Sequence, residues 1–290
     1  MKLRPLGDTL VGAIGMGAMP LSIPGRPDRD RAIGTIHAAL DAGVTLVDTA
    51  DAYTTVEDGP GHNEILIAEA LTAYPGDTSG VIVATKGGLV LRAPGEADKV
   101  GTPEHLARAA RDSRDRLGVE SIGLYQLHWP DPQVDYAESL RAIRDLLDEG
   151  VIRRAGISNA SVAQIQLALE VLDGRLASVQ NRFSPDFHDS LGELDYCSQH
   201  GVAFLPWRPL GGIGKTQETA RRHRVFTEAA AELRVSPQRL TLAWMLTLGA
   251  TVIPIPGASR PESIRDSAAA ADLELGEDLA ERLSASLAAR

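Results

Sequence analysis

One cysteine, Cys197, stands in a chain of 290 residues, so no disulfide can close within it. Its spacing from Leu191 and Leu194 places it on the inner face of a helix ended by Gly201. A reactive thiol needs an exposed, electropositive setting, so packing is the expected role. Aromatic residues make up only 4% of the chain, which argues against a groove lined heavily with rings, of the kind that takes steroids. No apolar run reaches the roughly 20 residues a bilayer span requires. Met1 to Leu10 lacks the charged and apolar regions of a secretory leader. The expected location is therefore cytoplasmic, with no membrane partner.

Positive charge is also short. Against 29 Lys and Arg stand 39 Asp and Glu, a net charge of −10, which excludes nucleic acid as the main partner. The basic residues are mostly arginine; the lysines are Lys2, Lys86, Lys99 and Lys215. The histidines are scattered, with no His-x-His at a strand end. No metal-ligand set can be read, and a metal-dependent barrel hydrolase is disfavoured. The glycine fingerprint of a doubly wound dinucleotide domain fails as well. Gly15 and Gly17 begin it, but Pro20 holds the third position, and Leu21–Ser22–Ile23–Pro24–Gly25 cannot open a helix.

What is present is a repeating unit. Hydrophobic residues at 43% can fill a large core. Short β-rich runs occur at Val11–Ile14, Val44–Asp48, Val81–Lys86, Ile122–His128, Ile152–Ser158, Ala177–Asn181, Ala203–Trp207 and Thr251–Pro254. Several are almost continuously apolar, as in strands covered on both faces. Amphipathic helical patterns separate them: Ala32, Ile33, Ile36, Ala39 and Leu40 fit one face, and Leu140, Ile143 and Leu147 another, closed by Gly150. Thr102–Pro103 and Ser236–Pro237 mark helix starts, and Ser161 with Gln164 has capping-box spacing.

About eight strand–helix units predict an α/β fold, a (β/α)8 TIM barrel, as one domain over residues 1–290. Leu3–Leu10 predicts a hairpin closing the barrel floor, and an extra helix is expected from about Gly276. Two connections that follow strands, Gly87–Gly101 and Leu210–Thr216, are long enough to shape a site on the rim.

Barrel enzymes place their chemistry where strands end. Asp48, Lys86 and His128 end the second, third and fourth strands, and Tyr53 lies just beyond Asp48. Singly, Asp48 could cap a turn, Tyr53 could pack, Lys86 could meet solvent and His128 could be a core histidine. Together they suit carbonyl reduction, in which a carbonyl oxygen that receives hydride must gain a proton. A tyrosine can supply it, and a nearby ammonium is expected to lower its pKa from about 10. An aspartate can hold the ammonium, and a histidine can orient the oxygen. A lysine in an arginine-rich chain points to a compact charge rather than a planar fork.

Gly43–Val44–Thr45–Leu46–Val47–Asp48–Thr49–Ala50–Asp51–Ala52–Tyr53 resembles the aldo-keto reductase signature. Ala84–Thr85–Lys86 and Leu124–Tyr125–Gln126–Leu127–His128–Trp129 resemble the family's lysine and histidine strands. Gly156–Ile157–Ser158–Asn159 and Val179–Gln180–Asn181 resemble its nicotinamide segments, and Pro206–Trp207–Arg208–Pro209–Leu210–Gly211 and Ile253–Pro254–Ile255–Pro256–Gly257 its late cofactor loops. The resemblance runs in order along essentially the whole chain.

It implies a catalytic tetrad of Asp48, Tyr53, Lys86 and His128, with Tyr53 as general acid. It also implies a nicotinamide carboxamide held by Ser158, Asn159 and Gln180, with Trp207 stacked on the ring. Pro209, Leu210 and Gly211 would lie along the pyrophosphate, and Pro256 and Gly257 in the last loop. Ser259, Arg260, Ser263 and Arg265 stand at a helix start, where phosphate binds well. NADPH is therefore expected over NADH, although Ser263 and Ser267 depart from the basic residue and asparagine that many members carry there.

Met19 and Trp129 border the expected substrate pocket by position, together with Met16, Leu89 and Phe187. The loop after Pro206 and the chain length resemble bacterial members acting on small aldehydes, sugars or pyridoxal. The expected function is NADPH-dependent oxidoreduction of a small carbonyl compound. A redox sensor that binds NADPH without turnover is the alternative, disfavoured because it would not need Tyr53 and Lys86 together. Glu57, four residues past Tyr53, excludes the other common tyrosine-based reductase pattern.

Overall fold

Parallel strands with helical crossovers curl into a closed ring in the computed structural model, which describes residues 1–93, 95–212 and 222–288. A two-stranded hairpin, β1 (Leu3–Leu6) and β2 (Thr9–Gly12), comes first and turns at Gly7, whose φ of +60° suits glycine. The ring strands are β3 (Met16–Gly17), β4 (Leu46–Asp48), β5 (Ile82–Gly87), β8 (Leu124–Leu127), β9 (Ala155–Ser158), β10 (Leu176–Gln180) and β11 (Ala203–Phe204), paired in that order. Between β5 and β8 lies an antiparallel hairpin, β6 (Leu89–Ala93) with β7 (Glu96–Lys99). This hairpin occupies the long connection expected from Gly87 to Gly101.

Two expected strands are revised. Val11–Ile14 belongs to the N-terminal hairpin, and the first ring strand follows it at Met16. The run is apolar because it plugs the ring: Leu6 and Val11 are buried with Leu46, Ala84, Leu124, Ala177, Ala203, Leu205, Ile253 and Ile255. Thr251–Pro254 forms no regular strand, since Pro254 and Pro256 lack an N–H for a continuous ladder. The segment still closes the ring. Ile253 N donates to Phe204 O at 2.8 Å, and Pro254 and Pro256 accept from Gly15 N and Gly17 N at 2.9 and 3.0 Å. A Cβ on Gly17 would lie 2.9 Å from Ile255 O, so only glycine permits this closure.

The α-helices among the described residues are α1 (Arg29–Asp41), α2 (His62–Ala73), α3 (Pro103–Leu117), α4 (Tyr136–Asp148), α5 (Val162–Val171), α6 (Leu191–Gln199), α7 (Arg224–Leu233), α8 (Pro237–Thr247), α9 (Pro261–Ala268) and α10 (Glu277–Ala288). Thr102, Ser161 and Ser236 cap α3, α5 and α8 through their hydroxyls, with a full capping box at Ser161. α10 is the expected extra C-terminal helix. The architecture is the (β/α)8 barrel. Cys197 is buried and its thiol is pushed up to about 12, first by burial, which keeps it inert. Among the described residues no helix is long and apolar enough to cross a membrane, and no cluster could hold a metal.

Candidate active site

Period-two alternation carries the site. Parallel register aligns Lys86, Gln126, Gly156, Ser178 and Ala203 across five neighbouring strands, so these residues share one face. That face is the ring interior, where Lys86, Gln126 and Ser178 are fully buried. Gly156 is required in this row, because a Cβ there would strike Ser178 Oγ and Gln126 Cγ.

At the upper rim the four expected residues meet. Lys86 Nζ donates to both carboxylate oxygens of Asp48 at 2.8 Å and to Thr49 O at 2.7 Å. It lies 3.1 Å from Tyr53 Oη. Because the phenol oxygen accepts from the ammonium, its own proton is free for another partner. The His128 ring stands edge-on to Tyr53, centroids 5.7 Å apart. The backbone sets this meeting: Thr49 N donates to Ala84 O, Asp51 N to Lys86 O and His128 N to Gly87 O.

Burial works against charge here, and the partners decide where each group ends. Burial lowers Lys86, but Asp48 and Tyr53 outweigh it and hold the ammonium above its ordinary range. Asp48 is raised by burial against the opposing pull of Lys86, Gln180 and Gln126. The bidentate contact keeps the two as an ion pair. His128 is held well below its ordinary range, first by burial and then by Lys86, so its imidazole is neutral.

Tyr53 corrects the expectation of a lowered pKa. Burial raises its hydroxyl, Lys86 pulls it down, and Asp48 and Asp51 push it up again, leaving it above the ordinary phenol value. Each carboxylate near the ammonium cancels part of its effect.

Ser158, Asn159, Gln180 and Trp207 form a hydrogen-bonded chain beside the four. Trp207 Nε1 donates to Asn159 Oδ1 at 3.2 Å, Asn159 Nδ2 to Ser158 Oγ at 3.0 Å, and Ser158 Oγ to Gln180 O at 2.8 Å. Asn159 Nδ2 also reaches His128 O at 3.0 Å. Ser161, not Ser158 or Asn159, caps the following helix. Asn159 and Arg208 carry positive φ, +58° and +52°, where non-glycine residues are strained. The other two such residues among those described, Asp173 and Arg234, lie at helix ends. Arg208 places its guanidinium 5.4 Å from the Trp207 ring centroid.

Pro209 is buried and Leu210 half-buried in the loop after β11, and Gly211 and Gly212 follow with φ of +86° and +111°. The rest of the expected loop, from residue 213, lies outside the described residues. Pro256 and Gly257 join the ring closure against Gly17. Ser259 and Arg260 stand at the start of α9 and Ser263 in its first turn, but Arg265 lies in its last turn, away from the helix start where it was expected; Arg260 and Arg265 are exposed and make no ion pair among the described residues. Met19 lies in a half-buried turn after β3. Trp129, next to His128, lies under the Lys99 ammonium at 4.8 Å.

Sequence reasoning missed Gln126, Ser178 and Asp51. Gln126 was findable, since it is two residues before His128 and must share its face. Asp51 lies behind β5 and is pushed up to about 8, by burial first and Glu64 next, against Arg116.

Comparison with known proteins agrees with this architecture. The 6-dehydroglucose reductase of Novosphingobium aromaticivorans is 34% identical over 92% of this chain and 89% of its own. The pyridoxine 4-dehydrogenase of Escherichia coli is 29% identical over 94% of each. A Klebsiella pneumoniae aldo/keto reductase solved with NADP and acetate superposes with a TM-score of 0.81 at 25% identity, covering 98% of this chain and 95% of that one. The Aldo/keto reductase family model matches residues 13–288, and the chain belongs to that family of oxidoreductases.

Proposed function

We propose that this protein reduces a small aldehyde or ketone to the alcohol with NADPH, and that Tyr53 supplies the proton. The observation that carries the reading is the 3.1 Å contact between Tyr53 Oη and a lysine clamped on both oxygens of Asp48. When bound, NADPH supplies a hydride to the carbonyl carbon.

The chain supplies the rest. Tyr53 donates its free O–H proton to the carbonyl oxygen, completing the alcohol. Lys86 stabilises the phenolate left behind. The raised phenol holds its proton at neutral pH until the oxygen becomes strongly basic. His128 Nδ1 is buried with no hydrogen-bond partner among the described residues, so Nε2 is the nitrogen left to orient the substrate oxygen.

Several features suit the cofactor. Gln180 Oε1 accepts from no described side chain and can take an amide N–H. Gly211 and Gly212, with positive φ, suit a loop whose backbone comes close to a pyrophosphate, and Arg260 and Arg265, exposed and without an ion pair among the described residues, suit an additional phosphate, which favours NADPH over NADH. The match to a sugar-derivative reductase and a pyridoxine dehydrogenase supports a small polar substrate.

The test is oxidation of NADPH and NADH against small aldehydes, ketones and sugars, with Tyr53→Phe alongside. NADPH should be preferred, and Tyr53→Phe should lose at least about 100-fold in kcat while still binding NADPH. Undiminished turnover in the variant would end the proton-donor assignment.

A further inference from the structure

Gln180 makes a contact that holding a cofactor does not require. Its Nε2 donates to Asp48 Oδ1 at 2.7 Å, across the ring from β10 to β4, and it is 2% exposed. Asp48 Oδ1 thus accepts from both Lys86 and Gln180. At the other end, Gln180 O takes Ser158 Oγ and Asn159 N. Hydrogen bonds run from Trp207 through Asn159 and Ser158 to the Gln180 backbone carbonyl, and from the Gln180 side chain through Asp48 and Lys86 to Tyr53, so one residue joins the two sets. Below them Ser178 Oγ donates to Gln126 Oε1 at 3.2 Å, and the Gln126 side chain also favours the ionised form of Asp48.

We propose that Gln180 is a positioning residue that makes the amide pocket and the proton donor one unit: its nitrogen holds the Asp48 carboxylate in place for Lys86, while its oxygen is left for the cofactor amide. The second half rests on the function proposed above; the first does not. An amide N–H donated to a carboxylate favours the ionised form. A carboxylate turned toward Lys86 keeps the ammonium against Tyr53. The groups around Asp48 are Lys86 on β5, Tyr53 and Asp51 on its own loop, Gln126 and His128 on and after β8, and Gln180 on β10. Of these only Lys86 carries positive charge, so a buried Asp48 depends on neutral donors for the remainder of its stabilisation. An amide engaged by a cofactor at its oxygen is polarised toward stronger donation at its nitrogen. Cofactor occupancy and the ionisation of Asp48 are thereby linked, and the linkage is reciprocal.

The experiment is a 13C NMR titration of aspartate carboxyls in the cofactor-free protein, with Asp48→Asn to assign the resonance. Gln180→Met should raise the Asp48 midpoint by about half a unit or more, and Gln180→Glu should raise it further by like-charge repulsion. The acid limb of the kcat profile should move the same way. NADPH should lower the midpoint in the wild type and leave it in place in Gln180→Met. A midpoint unmoved in both variants would overturn the proposal, and weaker NADPH binding alone would leave Gln180 a simple cofactor ligand. Because the midpoint is read without turnover, a failure to reduce carbonyls would count against the proposed function and not against this contact.

Discussion

Thr85 and Lys86 are consecutive on β5, and they serve two buried charge clusters on opposite sides of the strand. Inside the ring, Lys86 meets Asp48, one cation to one carboxylate, with Thr49 O and Tyr53 Oη taking its remaining donor capacity. Outside, Thr85 Oγ1 donates to Glu64 on α2, which also receives Arg116 from α3 at 2.6 Å. There Arg116 must serve two carboxylates, because Asp51 lies close by with Oδ1 buried and without a hydrogen-bond partner among the described residues. Balanced charge stays ionised. Excess negative charge is relieved by a proton, and Asp51 is the group that holds it, at a pKa of about 8. The inner cluster lies at the candidate active site, and the outer one joins α2 and α3 to the ring.

Breaking each cluster should separate these roles. The largest effect belongs to Lys86→Met, which removes the cation beside Tyr53. Steady-state kinetics should show kcat falling by about 10²- to 10⁴-fold, and a loss under about tenfold would sink the role given to the ammonium. Next is Arg116→Ala, which leaves the fully buried Glu64 unpaired. Denaturant unfolding should show a loss on the order of 3–5 kcal/mol, with kcat of the folded fraction nearly unchanged.

The smallest effect sharpens the contrast. Asp51 has a folded pKa above its unfolded one, so the folded state binds its proton more tightly. Its contribution is fully present below about pH 4 and is lost as pH rises toward about 8. Asp51→Asn should therefore flatten the stability profile between those limits, leaving the variant more stable than the wild type at pH 8 by up to a few kcal/mol. Thermal unfolding across this range checks it. A wild-type curve that rises toward pH 8 would contradict the assignment.

Much of the fold was legible because periodicity is local. Alternation in Leu124–His128 and the caps at Thr102, Ser161 and Ser236 need only a few neighbouring residues to be read. The ring closure was less so. Pro254 and Pro256 break the ladder that a strand reading assumes, and only the opposing Gly15 and Gly17 show that the hydrogen bonds are made regardless. Val11–Ile14 misled for the same kind of reason, since an apolar run has the same appearance whether it pairs in the ring or plugs its floor. The site divides similarly. Asp48, Tyr53, Lys86 and His128 were readable from their places at strand ends, and so was Gln180 as an amide-binding candidate. Its bond to Asp48 was not, because 132 positions separate the two residues.

Local pattern was enough to show which side chains of the regular strands face inward and which chemical types gather on the rim, because backbone alternation and capping act over a few residues. The protonation of those groups follows from the assembled fold. The direction of Tyr53, the neutrality of His128 and the proton on Asp51 depend on burial and on charges brought from distant strands and helices, and electrostatic energy is set by distance and desolvation rather than by order along the chain.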